Sequence, residues 1–135
     1  MKHRLLTAAS ITVLIVCCGA SGFARAQSIK TIVSVGGPPV VLNQNSQLNL
    51  AGVFMVGGST AATVVQSGNN NATGILQFGA TSSASVGQTG INNFTFVGQS
   101  GQSTSSVVSQ FGNINSGVIA QFGFTNASRV VQGSP

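Results

Sequence analysis

Residues 82–103 read SSASVGQTGINNFTFVGQSGQS and hold two copies of one pattern. Val86 precedes Gln88 by two residues and Gly90 follows it by two; eleven residues on, Val97, Gln99 and Gly101 repeat the spacing. Outward from this stretch the glutamine recurs as Gln44, Gln66, Gln77, Gln88, Gln99, Gln110, Gln121 and Gln132, and only Met55 interrupts the series. Glycine stands two residues after six of them, as Gly68, Gly79, Gly90, Gly101, Gly112 and Gly123. A fixed internal period is the mark of a stacked repeat architecture. Identical side chains at identical positions form ladders, and Gln and Asn ladders are the chemistry of cross-β stacking.

Each glutamine can be taken as position zero. Position −2 is Val or Ile from Val64 to Val130, and position −4 is always small: Ala62, Thr73, Ala84, Thr95, Ser106, Gly117 and Ser128. The odd positions vary widely and include Arg129. Alternation with period two predicts strands. The uniform even set is expected inside and the variable odd set outside, because an inward unpaired Arg129 would be costly. Each arm is then a strand of about five residues ending at Gln, with Gly at +2 supplying the turn.

Position +5 doubles the period. It is Asn49, Asn71, Asn93 and Asn115 after alternate arms, and Thr60, Ser82, Thr104 and then Asn126 after the others. Two kinds of corner therefore alternate, and one coil is two strands and two turns in 22 residues. The expected fold is all-β, a short β-solenoid of about 4.5 such coils over residues 38–135, divided roughly at 60, 82, 104 and 126. The first coil is irregular, with Met55 for Gln, Ser46 for Gly, and Pro38 and Pro39 at its entrance. Stacked Gln amides can bond their copies one coil away at a spacing of about 4.8 Å. The Gln, Gly and Asn residues named above form the expected assembly ladder.

The start of the chain reads differently. Lys2, His3 and Arg4 precede an apolar stretch from Leu5 to Cys18, and Ala24-Arg25-Ala26 is a small-x-small cleavage site. Residues 1–26 are expected to be a secretory signal peptide, and 27–37, which lack the pattern, a flexible N-terminal segment. Removing the leader takes away both cysteines and leaves Lys30 and Arg129 as the only charged side chains. A disulfide scaffold is then excluded, and nucleic acid has no basic cluster to bind. The remainder has no His, Asp, Glu, Cys or Tyr. Its many hydroxyls have no base to activate them, and no metal-ligand set or cofactor motif is present. The expectation is a protein that is not an enzyme.

The seven Phe after the leader all fall at odd positions, from Phe54 to Phe124. They are expected on outer faces or in turns, where exposed apolar groups usually have partners.

The residues resemble the curlin family. Its pattern is Ser, five residues, Gln-x-Gly, two residues, Asn-x-Ala, three residues, Gln. Ser82, Gln88, Gly90, Asn93 and Gln99 match it in order and spacing, with Thr95 in the Ala position. Thr60, Gln66, Gly68, Asn71 and Gln77 match with Thr73 there, and Thr104, Gln110, Gly112, Asn115 and Gln121 with Gly117. The resemblance covers residues 38–135. It implies a secreted bacterial protein of the cell surface that polymerises into functional amyloid fibres (fimbriae) for adhesion and biofilm matrix. It also implies two partners: an outer-membrane secretion pore, and a nucleator or major-subunit counterpart. The Asp gatekeepers of some family members are absent.

Physics points the same way, since a short solenoid has two open edges and no polar cap is legible here. Two other readings compete: a nucleator of such fibres, and a monomeric β-solenoid binding module. The last needs a regular outward array, which positions −3 and −1 do not show.

Overall fold

In a computed structural model, residues 11–17, 28–35, 40–45 and 48–134 are described. The elements are β1 (Ile11–Cys17), β2 (Ser28–Val35), β3 (Val40–Asn45), β4 (Asn49–Asn69), β5 (Ala72–Ile91), β6 (Phe94–Asn113) and β7 (Ser116–Gly133). Pro38, Pro39, Ser46 and the cleavage site Ala24-Arg25-Ala26 lie outside the described residues.

β4 to β7 are each a whole coil rather than a single arm. They bend at the hydroxyl corner, where the pairing skips a single residue, and break only at the Asn corner. Each coil lies parallel on the next with a shift of 22 residues, so that Gln66 pairs with Gln88, Gln88 with Gln110 and Gln110 with Gln132. The result is a parallel β-solenoid of about four turns, as the repeat predicts. Below, arm A is the first half of a coil, carrying Met55, Gln77, Gln99 or Gln121. Arm B is the second half, carrying Gln66, Gln88, Gln110 or Gln132.

The two arms of a coil face each other across a thin core. Val53, Ile75, Val97 and Ile119 of arm A and Ala62, Val64, Ala84, Val86 and Val108 of arm B are buried in it. The odd positions point outward, Arg129 is exposed, and all seven Phe after residue 26 are exposed, as expected. Met55 is fully buried, filling the space of the glutamine it replaces.

The two corners differ in backbone. At the Asn corner the preceding residue takes a left-handed conformation: φ is 59° at Leu48, 55° at Asn70, 60° at Asn92 and 58° at Ile114. Asparagine tolerates this region, whereas a β-branched residue such as Ile114 is strained in it. The corner is closed by backbone bonds such as Asn92 N–H to Asn69 O (3.0 Å) and Ala72 N–H to Asn93 O (2.8 Å).

The N-terminal end differs from the sequence expectation. The segment 27–37, expected to be flexible, contributes β2, which lies parallel on arm A of β4. Its shift is 21 residues, with Ile32 beside Val53 and Ser34 beside Met55. An eleven-residue scan misses it because the register slips by one and no Gln is present. Its run of Ile and Val still favours a strand. β3 continues this coil on arm B, with Gln44 beside Gln66. β1 pairs antiparallel with β2, Leu14 beside Ile32, and lies inside the expected leader.

Candidate assembly interface

Among the described residues the interior buries eleven apolar residues and sixteen polar ones. Such a core is stable only if the polar groups are bonded to one another. Arm B shows how. Gln44 Nε2 donates to Gln66 Oε1 at 2.8 Å, Gln66 to Gln88 at 2.8 Å, Gln88 to Gln110 at 2.8 Å, and Gln110 to Gln132 at 2.7 Å. The second amide hydrogen crosses the core to an arm A carbonyl: Gln66 to Leu50 O (3.2 Å), Gln88 to Ala72 O (3.2 Å) and Gln110 to Phe94 O (3.1 Å). The ladder thus ties each coil to the next and its own two arms together.

Arm A carries a shorter ladder, with 2.7 Å between the Gln77 and Gln99 amides and 2.8 Å between those of Gln99 and Gln121. One orientation of these amides satisfies every neighbouring group. In it the nitrogens donate to Ala61 O, Ser83 O and Ser105 O of arm B, and the oxygens accept from the Ala84, Ser106 and Ser128 N–H groups. Gln121 then donates to Gln99 and Gln99 to Gln77. The arm A ladder therefore runs opposite to the arm B ladder, and the two rows of amide dipoles oppose each other.

The small residues at −4, read in the sequence only as filling, have a polar role. Thr73 Oγ1 donates to Gln88 Oε1 at 2.8 Å, and Thr95 Oγ1 to Gln110 Oε1 at 2.7 Å. Ser106 Oγ lies 2.8 Å from the Gln99 amide. The hydroxyls were a legible signal, since Thr or Ser stands there more often than Ala.

Asn49, Asn71, Asn93 and Asn115 form a third ladder. The backbone N–H of Asn71, Asn93 and Asn115 donates to the side-chain oxygen of the preceding member at 3.1, 3.2 and 3.1 Å. Asn126 does not join them. It stands beside Thr104 in the hydroxyl corner, where Thr104 Oγ1 donates to Ser82 Oγ at 2.9 Å. The Asn126 Nδ2 has no partner among the described residues.

The glycines at +2 sit where coils come closest. A Cβ on Gly68, Gly79, Gly90 or Gly101 would fall on the carbonyl of the glycine one coil on. Gly79 and Gly90 also have φ of 151° and 128°. Gly101 has no such φ, so only the close approach demands glycine there.

The curlin associated repeat matches residues 59–90, which span the second arm of β4 and nearly all of β5. Over those residues the chain is similar to that repeat. No curated protein and no solved structure matches it significantly. The matched stretch holds three ladder glutamines, Gln66, Gln77 and Gln88, and the Asn71 corner between the first two. The curlin repeat is thus the structural unit that sets the ladders. Curlin-family proteins are structural fibre proteins, and that class fits a molecule whose polar groups are spent on internal ladders. No group of three or more His, Cys, Asp or Glu capable of holding a metal occurs among the described residues, and no helix there is long and apolar enough to cross a membrane.

The two ends of the solenoid differ: the C-terminal end is open among the described residues, and at the N-terminal end β1 covers the edge of β2. At the C-terminal end, β7 presents Gln121 in arm A and Gln132 in arm B, with no coil beyond them among the described residues. At the N-terminal end, Gln44 occupies arm B. Ser34 occupies arm A, 9% exposed, and its hydroxyl has no hydrogen-bond partner among the described residues. Lys30 was missed in the sequence. It pairs with Ala51 at the inward −4 position, and its Nζ donates to Leu42 O at 3.5 Å.

Proposed function

We propose that this chain is a secreted structural subunit that stacks end to end into curli-like amyloid fibres on the bacterial surface, serving adhesion and biofilm matrix. The observation that carries the reading is the complementarity of the two ends. The arm B column ends at Gln132, whose Nε2 is a donor, and starts at Gln44, which donates to Gln66, so stacked copies would keep the glutamine column in line. The arm A ladder ends in the Gln121 amide and meets, one copy on, the buried hydroxyl of Ser34. Stacking C-terminal end on N-terminal end continues one ladder and gives the orphaned hydroxyl a partner. Once covered by another copy, a Ser34 hydroxyl left unmet would cost about 1–3 kcal/mol, so a stack that seats it on the Gln121 amide is favoured over other stacked registers.

Residues 1–26 are removed on export in this reading. Losing the leader takes β1 from the edge of β2 and opens the surface that the next copy pairs with. Partners are further copies, a nucleating or major-subunit counterpart, and the outer-membrane pore through which the chain leaves. The chain lacking residues 1–26, diluted from denaturant, should form thioflavin-positive fibres with a meridional spacing near 4.8 Å. A protein that stays monomeric and soluble at high concentration would sink the proposal.

A further inference from the structure

The two outer faces of the solenoid differ in chemistry. The arm A face carries five of the seven exposed Phe: Phe54, Phe78, Phe94, Phe96 and Phe122. None of its outward positions in β2 and β4 to β7 holds a charged residue. The arm B face presents mostly small and hydroxylated residues, such as Thr63, Ser83, Ser85 and Ser109, together with Arg129. A solvated sheet needs only the second kind of face.

The apolar face is shaped as well as apolar. Phe54 and Phe78 form a ridge with ring centroids 5.7 Å apart. Beside it lies a groove of roughly 270 Å³ with its floor at Gly52 and Gly74 and its walls at Val33, Phe54, Leu76 and Phe96. A Cβ built on Gly52 meets nothing within 4 Å, so the notch is open there, and the Phe96 ring closes it over Gly74. Ridge and groove lie on one face, which is what a self-complementary contact between two copies requires.

We propose that this face is a lateral docking surface for a second copy of the chain, so that stacked solenoids pair face to face through their Phe ridges and glycine grooves. The inference rests on the end-to-end fibre reading. Two features select a second copy. The Phe54–Phe78 ridge and the Gly52–Gly74 groove lie side by side on one face, so a two-fold-related copy can seat its ridge in this groove and offer its own groove to this ridge. The face also carries no charge to repel its like. Area sets the order of events. At their observed exposures the five rings leave roughly 400–500 Å² of aromatic surface, taking about 200 Å² for a whole ring. A stable interface needs about 800 Å² from each partner. One chain on one chain falls short, whereas two or three stacked chains pass the threshold. Lateral pairing therefore follows stacking, and the free chain does not dimerise through this face.

The test compares fibres grown from the full chain after removal of residues 1–26, from its F78T/F122T variant, and from F111T, which alters the arm B face. Thr keeps strand propensity while removing the ring. Mass per length by scanning transmission electron microscopy should be twofold higher for the parent and F111T than for F78T/F122T. Seeded elongation rates should agree within about threefold, which shows that the variant still folds and stacks. Parent fibres one chain wide, or doubled mass retained in F78T/F122T, overturn the pairing and leave the fibre reading intact. Single-width parent fibres that float with phosphatidylcholine vesicles, while F78T/F122T fibres do not, assign the face to lipid and also overturn it. No fibre from any of the three sinks the fibre reading, and this one with it.

Discussion

Gln88 is bonded on every side: it accepts from Gln66 and Thr73 and donates to Gln110, Thr95 and Ala72 O. Gln77 stands at the end of the shorter ladder, next to Met55. Methionine fills the glutamine space, as Met55 shows, but offers no strong donor or acceptor. Gln88→Met, which strips five partners, should therefore destabilise by about 3 kcal/mol, and Gln77→Met, which strips three, by about 2. Guanidinium midpoints of the two variants check the ranking; equal losses would show that volume and not the amide matters. Glycine makes a second case. Gly90→Ala puts a Cβ onto the Gly112 carbonyl at a φ of 128°, and should cost about 2–3 kcal/mol in the same titration. These positions were legible in the sequence because each repeats. Ser34 and Lys30 were not, because each occurs once, in a strand whose register differs by one residue.

The corner element shows where repetition and local physics disagree. Asn70 and Asn92 occupy the left-handed position before the corner asparagine, and Ile114 occupies the same position in the last coil with a φ of 58° and 79% exposure. A β-branched residue is strained in that region by about 1–2 kcal/mol, and an exposed side chain has little packing to lose. Ile114→Asn should stabilise the fold by about 1 kcal/mol, seen as a higher guanidinium midpoint. No change would mean that the strain is relieved elsewhere. The alternation of corners, and so the 22-residue coil, could be read directly from Asn and hydroxyl residues at +5. The membership of Asn126 could not be read from its type, because position in the stack overrides residue identity.

In the whole molecule, stability is a sum over coils and the contacts between neighbours. The terminal coils are the weakest and, in the proposed fibre, the ones that meet another copy. Deleting residues 126–135 removes Gln132 and most of the last arm B, and with them the donor end of the longer ladder. Seeded elongation should slow at least about tenfold, equivalent to roughly 1.4 kcal/mol at the docking step. An unchanged rate would place the growing contact on arm A alone. The opposed directions of the two amide ladders belong to this scale too. Each amide must face the carbonyls and N–H groups of the opposite arm, so the arrangement of the arms sets the direction of each ladder.

The sequence by itself determined the repeat, the strands, the inward ladder, the outward Phe and the two corner types, because each rests on a periodic pattern that local geometry enforces. Only the tertiary structure decided what no period encodes. It joined β2 to the stack with a 21-residue shift, buried Ser34 without a partner, turned the hydroxyls at −4 into ladder partners and gathered five Phe on one face. Those outcomes depend on which arms lie across from each other and on what lies one coil away, and such neighbours are set by the closure of the coil.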